Sequence, residues 1–358
     1  MRGQTEITED VELLNPDGTL TQEGWARSPR WRYRRAAVRA PLWRIKEWDY
    51  YYLRSDEDDC FVCLTMSDLG YAGLFALAFI DLARGEVAQV DSIVPLTMHR
   101  TGFAEECDAE GSIGYSGRKI TLEFLRHGSV RRLRFRAPSL AARGGVGLEG
   151  EVEIAQAPDM DRMAIATSWA ENRRAFYYNQ KLCCMPVTGT VRIGPRSSPA
   201  GGASVGTVLN FAPGSGWAGL DWGRGRWTRE NRWYWSSASG TVAGTPFGFN
   251  LGYGFSDRDS ASEDMAFFAG RAHKLGRVSF NFDVSDYLAP WRMTSDDGSF
   301  EAEFHPVVDR TSKTDLKLVV SDQHQVFGRF HGRARLEDGS FVEFQDLPGF
   351  AEDVYNKW

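Results

Sequence analysis

From Ile45 onward the chain is written as one short strand after another. Runs rich in aromatic and β-branched residues recur with turn signals between them, and no window of ten or more residues carries a strong helical period closed by a cap. Cys60–Met66 and Tyr71–Ile80 flank the turn Ser67-Asp68-Leu69-Gly70, which predicts a hairpin. In Val130–Phe135, Leu133 and Phe135 alternate with Arg132, Arg134 and Arg136, the mark of a strand with one dry face and one wet face. Phe247–Phe255 (FGFNLGYGF) has a large apolar residue at every odd position, whereas its even positions hold Gly248, Asn250, Gly252 and Gly254. A face this bare predicts that another strand, a bulky aromatic or a ligand comes close to the backbone. Many short strands with turns between them point to an all-β sandwich or barrel rather than a doubly wound sheet.

At 358 residues the chain is long enough for two ordinary domains or one large β architecture. Residues 1–24 are polar and acidic and read as a loosely packed arm. Residues 25–46 are strongly basic, with Trp25, Trp31, Tyr33 and Trp43 among the arginines. Two Gly/Pro/Ser-rich stretches, 138–147 and 195–206, read as flexible. The second is the better domain boundary, giving domains of 25–205 and 206–358.

Several classes of function are disfavoured. The net charge of −6 gives no footprint for nucleic acid. There is no phosphate-binding loop, dinucleotide glycine fingerprint, HExxH or GxSxG motif, so no bound cofactor is expected. The six histidines are scattered, and the five cysteines show no framework spacing. Cys60 and Cys63 would face opposite sides of a strand, so no metal site is expected either. Free cysteines and the lack of an apolar leader point to the cytoplasm. The basic segment 25–46 has two readings, pairing with the acidic remainder of the same chain or contact with a membrane surface.

Three groups of residues stand out. The densest is Trp217–Gly240, with five tryptophans (Trp217, Trp222, Trp227, Trp233 and Trp235) around Asp221. A carboxyl held among indole rings is desolvated, which favours its protonated form and suits it to acid catalysis. Core tryptophans beside an Asp–Arg salt bridge would give the same pattern. The second group is Gln323-His324-Gln325, polar side chains that need hydrogen-bond partners if buried. The third is the polar loop Ser256–Met265, followed by His273; from it Glu263 and His273 are secondary candidates.

The runs Arg44–Leu53 (RIKEWDYYYL), Asn179–Gly189 (NQKLCCMPVTG), Gly219–Gly240, Gly248–Phe255, His273–Gly276 (HKLG), Ser321–Gly332 (SDQHQVFGRFHG) and Gly349–Trp358 resemble the domain-of-unknown-function family 2804. More loosely, the Trp–Asp segment entering the second half and the closing Gly349-x-x-Glu352 are similar to the carotenoid hydratase (hydroxyneurosporene synthase) and AttH-like group. That resemblance implies two lipocalin-like antiparallel β-barrels in tandem with few short helices. It also implies a ligand cavity and cofactor-free protonation, hydration or cyclisation of apolar, isoprenoid-like molecules.

Together these features lead to the expectation of an acid–base enzyme for a small apolar molecule. Asp221 would be the proton donor, with Trp217, Trp222 and Trp235 as walls. Asn250, His324 and Gln323 would orient substrate or water, with Glu263 and His273 nearby. The alternatives are a lipocalin-like carrier with the same pocket, and a carbohydrate-active protein using Asp221 and Glu230 as its carboxylate pair.

Overall fold

The computed structural model describes residues 3–195, 206–315 and 319–357. It is all-β among these residues, with helix confined to two single 3-10 turns, Arg35–Ala37 and Leu42–Arg44. The chain forms two compact units that interleave along the sequence. One comprises Met1–Ile45, Asp159–Cys184 and Gly223–Trp358; the other comprises Lys46–Pro158 and Met185–Trp222. Each unit carries a curled antiparallel half-barrel. Two strands, Asn172–Ile193 and Gly216–Arg226, contribute residues to both units. The expected boundary at 195–206 falls, apart from its two ends, outside the described residues.

In the smaller unit, Ile45–Ser55, Cys60–Asp68, Ala72–Asp81 and Glu86–Pro95 form a meander, and the predicted hairpin pairs Met66 with Phe75. A second run comprises Gly111–Ser116, Thr121–His127, Val130–Ala142 and Gly145–Ala155. The alternation read in Val130–Phe135 holds: Leu133 and Phe135 are buried, while the arginines between them pair with Glu123, Glu151 and Glu153. The stretch 138–147 is not the flexible loop expected from its composition. It is the closed end of a hairpin, in which Arg143 and Gly144 (φ 48° and 78°) make the turn. The Arg143 guanidinium anchors that turn on the Asp81 carboxylate at 2.8 Å. Arg131 is buried in this unit with its donors committed to Gln156 Oε1 at 2.9 Å, Asp108 Oδ1 at 2.9 Å and the Cys107 carbonyl at 3.0 Å. Such a fully satisfied cation is a structural clamp.

The larger unit holds a nine-stranded antiparallel sheet. Its order runs Arg271–Lys274, Met265–Phe268, Thr245–Tyr253, Glu230–Val242, Phe341–Lys357, Val320–Arg335, Phe300–Asp315, Trp291–Ser295 and Val278–Asn281. The sheet curls until the Tyr253 hydroxyl accepts a hydrogen bond from the Phe280 N–H of the edge strand at 3.0 Å. Phe247, Phe249 and Leu251 point into the resulting core with Trp291, Phe300, Phe304, Phe330 and Phe344. The glycine face of the same strand meets what the sequence implied, a close approach. A Cβ at Gly252 would overlap the Glu263 carboxylate, and one at Gly248 would press on Cys184 Sγ and the Ala238 carbonyl.

Residues 3–24 are not a loose arm. Ile7, Leu13 and Leu20 are buried, Val11–Glu12 pairs in parallel with Trp31–Arg32, and Gln4 Nε2 donates to the Leu275 carbonyl at 3.0 Å. The acidic character of the arm answers the basic segment that follows, with Arg27 on Glu6, Arg30 on Asp10 and Arg34 on Glu12. Trp25, Trp31 and Tyr33 are buried, and Trp43 stands exposed.

Candidate functional site

Polar side chains in mid-strand cost free energy to bury unless each finds partners, so their placement is informative. In strand Asn172–Ile193, the polar run Asn179-Gln180-Lys181 is buried throughout. Strand Glu230–Val242 contributes Trp235, and strand Thr245–Tyr253 contributes Asn250 across from Ser237. The Trp235 indole N–H donates to Asn250 Oδ1 at 2.7 Å, and Asn250 Nδ2 donates to the Glu263 carbonyl at 2.9 Å. The chain leaves the sheet at Tyr253, loops, and returns at Met265 to pair with Asn250, which brings Glu263 back beside the strand that preceded the loop. Gly252, having no side chain, leaves the space that the Glu263 carboxylate fills. The Tyr177 hydroxyl donates to Glu263 Oε2 at 3.0 Å.

The Lys181 ammonium lies 4.0 Å from the centroid of the Trp235 ring, a cation–π contact, and Phe350 meets the ring edge-on at 4.9 Å. In the sheet register, Glu352 sits directly across from Trp235, and Gln325 directly across from Glu352. Glu352 accepts from the Trp233 indole at 3.2 Å and from Gln325 Nε2 at 2.6 Å. Aromatic rings enclose the Glu263 end: Tyr177 lies 4.4 Å from Phe255, and Trp227 lies 5.5 Å from Trp169 and 5.6 Å from Trp233. Lys181, Glu263 and Glu352 are each less than one-tenth exposed. Next to Glu263, Asp264 accepts the Gly252 and Val278 N–H groups at 3.0 and 3.1 Å, and burial pushes its carboxyl above the usual range. It pins the loop that carries Glu263.

The candidates read from the sequence divide into groups. Trp235, Asn250 and Glu263 converge through direct hydrogen bonds. Trp217, Asp221 and Trp222 lie buried on strand Gly216–Arg226, in residues of the smaller unit. Asp221 and Trp222 are consecutive on that strand and so point to opposite faces, leaving Trp217 on the Asp221 side. Gln323 and His324 likewise point to opposite faces: Gln323 Nε2 donates to Ser321 Oγ at 2.7 Å, while His324 Nδ1 pairs with Asp309 Oδ2 at 2.6 Å. Glu230 is exposed and accepts the Tyr355 hydroxyl at 2.8 Å, whereas Asp221 is buried. Two carboxyls in such different surroundings are not a glycosidase pair. Lys181 and Tyr177 carry no chemical role in the sequence reading, and Glu352 enters it only through the closing Gly349-x-x-Glu352. The sequence signal for the first was the polar triplet of Asn179–Lys181 between Tyr178 and Leu182. Among the described residues, no group of three or more His, Cys, Asp or Glu side chains is placed to hold a metal ion.

His273 stands apart, at the sheet edge. Its Nδ1 accepts the Glu337 N–H at 3.2 Å, which requires the neutral ring at that nitrogen. Burial, reinforced by nearby Arg27 and opposed by Glu337, lowers its pKa from 6.5. A depressed folded-state value means that the unfolded chain binds the proton more readily, so this contribution is intact above pH 6.5 and is lost as the pH falls through the folded value. Thermal unfolding followed between pH 7.5 and 5 is therefore expected to show a steeper acid loss in the wild type than in His273→Gln. Parallel curves would remove this role.

The two half-barrels and the polar cluster among indoles define an all-β protein of lipocalin-like barrel type. The chain belongs to the family described as Domain of unknown function (DUF2804), whose pattern matches residues 4–358. Among solved structures it is similar in fold to the crystal structure of CghA with Sch210972, with 8% identity, 87% of this chain and 88% of that chain covered, and a TM-score of 0.51. The crystal structure of kievitone hydratase from Nectria haematococca aligns over 87% of this chain and 88% of that chain, with 14% identity and a TM-score of 0.48. No curated protein matches the sequence.

Proposed function

We propose that this chain carries out cofactor-free acid–base chemistry, of the hydratase, isomerase or cyclase type, on a small apolar molecule bearing a polarised oxygen. The proposed seat of that chemistry is the Trp235 face of the nine-stranded sheet. The observation that carries this is the burial of Lys181, Glu263 and Glu352 around one indole. Ionised groups taken out of water cost several kcal/mol each, to order of magnitude, and structural stability alone is poorly served by them. Enclosed ionisable groups gather where proton transfer is needed.

The roles follow from geometry. Trp235, Trp233 and Phe350 supply apolar contact area. Lys181 covers one face of the Trp235 ring, so the ammonium rather than the ring meets the substrate there, which suits a carbonyl or developing enolate oxygen. Glu263, held by Tyr177 and positioned beside Asn250, moves the proton to or from carbon. That CghA, sharing this fold, was crystallised with Sch210972 supports a small-molecule occupant. Asp221 and His324 are the competing acid–base groups, each buried or half-buried elsewhere.

The test begins with full-length protein purified from its host, solvent extraction, and mass spectrometric identification of the co-purifying molecule. Conversion of that molecule by wild type, Asp221→Asn and His324→Gln, with loss in Glu263→Gln, supports the assignment. Activity surviving in Glu263→Gln but lost in Asp221→Asn moves the proton transfer to Asp221. Recovery of the molecule unchanged from wild-type protein would make the chain a carrier.

A further inference from the structure

The opposite face of the same sheet carries a second constellation, independent of Trp235. Strand register places Tyr234, Asp353, His324 and Thr311 side by side on the core-facing surface, one residue out of step with the row Trp235, Glu352, Gln325 and Arg310. Asp353 is buried and gripped by Arg232 through two N–H donors, at 2.8 and 2.5 Å. The His324 ring is fixed by Asp309. Into this corner the loop 282–290 inserts one residue, Tyr287. Its ring lies parallel to the His324 imidazole, with centroids 3.8 Å apart and 6° between planes, and its hydroxyl donates to Asp353 Oδ2 at 2.9 Å.

We infer that this corner of the larger unit is a binding site for a planar phenolic molecule, and that Tyr287 is a built-in competitor holding it closed. Every group that recognises the phenol side chain sits on a strand: Asp353 and Arg232 for the hydroxyl, His324 for the ring face. The phenol itself sits on a loop in which residues 283–286 and Leu288 are exposed. Val284 and Leu288 are 65% and 52% exposed, and Asp283 and Asp286 are spent on capping the local turns to Ser285 and Leu288. The loop is therefore held by Tyr287, by Phe282 stacked 3.9 Å from Trp291, and by the Trp291 indole donating to the Tyr287 carbonyl. A second observation points to a ligand. Asp309 Oδ1 is buried with no hydrogen-bond partner among the described residues, an acceptor left for a donor on whatever enters. An open groove of about 370 Å³ is lined by Phe282, Asp283 and Pro290 at the two ends of this loop, together with Trp291.

A ligand that replaces Tyr287 needs an aromatic ring with a hydroxyl on its edge, because stacking on His324 and donation to Asp353 are both set by rigid strands. The probe is p-cresol, with toluene and 4-methylanisole as controls lacking the donor, titrated into the full chain. Binding is read by calorimetry and by the imidazole resonances of His324. Tyr287→Phe keeps the ring but gives up the bond to Asp353, so the loop competes less well, and p-cresol is expected to bind the variant about tenfold tighter than wild type. Both proteins should favour p-cresol over the two controls, with His324 resonances shifting on binding. Equal affinity for wild type and variant, toluene binding as well as p-cresol, or His324 resonances that stay fixed at saturation would overturn the inference. None of these readings depends on turnover at the Trp235 face.

Discussion

Glu263→Gln is expected to lower conversion of the native apolar substrate by at least about a hundredfold, the usual scale for removing a positioned general acid or base. The substitution keeps the volume beside Gly252, and a glutamine oxygen still accepts the Tyr177 hydroxyl, so thermal stability should remain near that of wild type. That separation of activity from stability matters, because Glu263→Ala would also leave a cavity and an unpartnered tyrosine and would confuse the two. Substrate disappearance followed by mass spectrometry, with the melting curve on the same sample, checks both halves. A Glu263→Gln protein that turns over at the wild-type rate would leave the carboxylate a structural role only.

The second large effect concerns the scaffold. Phe249→Ala is expected to destabilise the protein by about 3–5 kcal/mol, the range for truncating a large aromatic side chain in a closed core. Phe249 is fully buried and meets Phe300, Phe330 and Phe344 at 5.1, 5.0 and 5.9 Å. Urea unfolding monitored by circular dichroism measures the loss. The same strand carries Asn250 on its other face, so the core packing of Phe249 also sets the position of the polar residue one step along. A change below about 1 kcal/mol would mean that the barrel core is looser than the contacts among these four rings imply.

The alternation in Phe247–Phe255 shows how much of the fold was legible. A period of two placed Phe247, Phe249, Leu251 and Tyr253 on the core side and anticipated a close approach on the glycine face, whereas Phe255, beyond the end of the strand, packs against Tyr177 instead. It did not say what approached. Glu263 reaches Gly252 only because the chain loops out after Tyr253 and returns to pair Met265 with Asn250, a long-range consequence of register that no local pattern carries. For the same reason Trp235, Asn250 and Glu263 were each recognisable as unusual, yet nothing in the sequence joined them. Lys181 and Tyr177 lie in a strand whose apolar residues masked the polar triplet.

Neighbouring residues misled in the other direction. Gln323 and His324, or Asp221 and Trp222, look like pairs in the sequence and are turned apart by strand geometry. Composition misled in two places. The acidic arm at residues 3–24 looked loose, but its three apolar anchors and its partners in the basic segment hold it down. The small residues of 138–147 looked flexible because glycine serves a tight hairpin as well as a linker.

Everything proposed for catalysis rests on the Trp235 face being where the apolar molecule comes to lie. A crystal structure of the full chain carrying its co-purified ligand measures that directly. Ligand density is expected against the Trp235 indole, with an oxygen within hydrogen-bonding distance of Lys181 Nζ and a carbon facing the Glu263 carboxylate. Ligand density elsewhere, with protein side chains packed over Trp235, would contradict it.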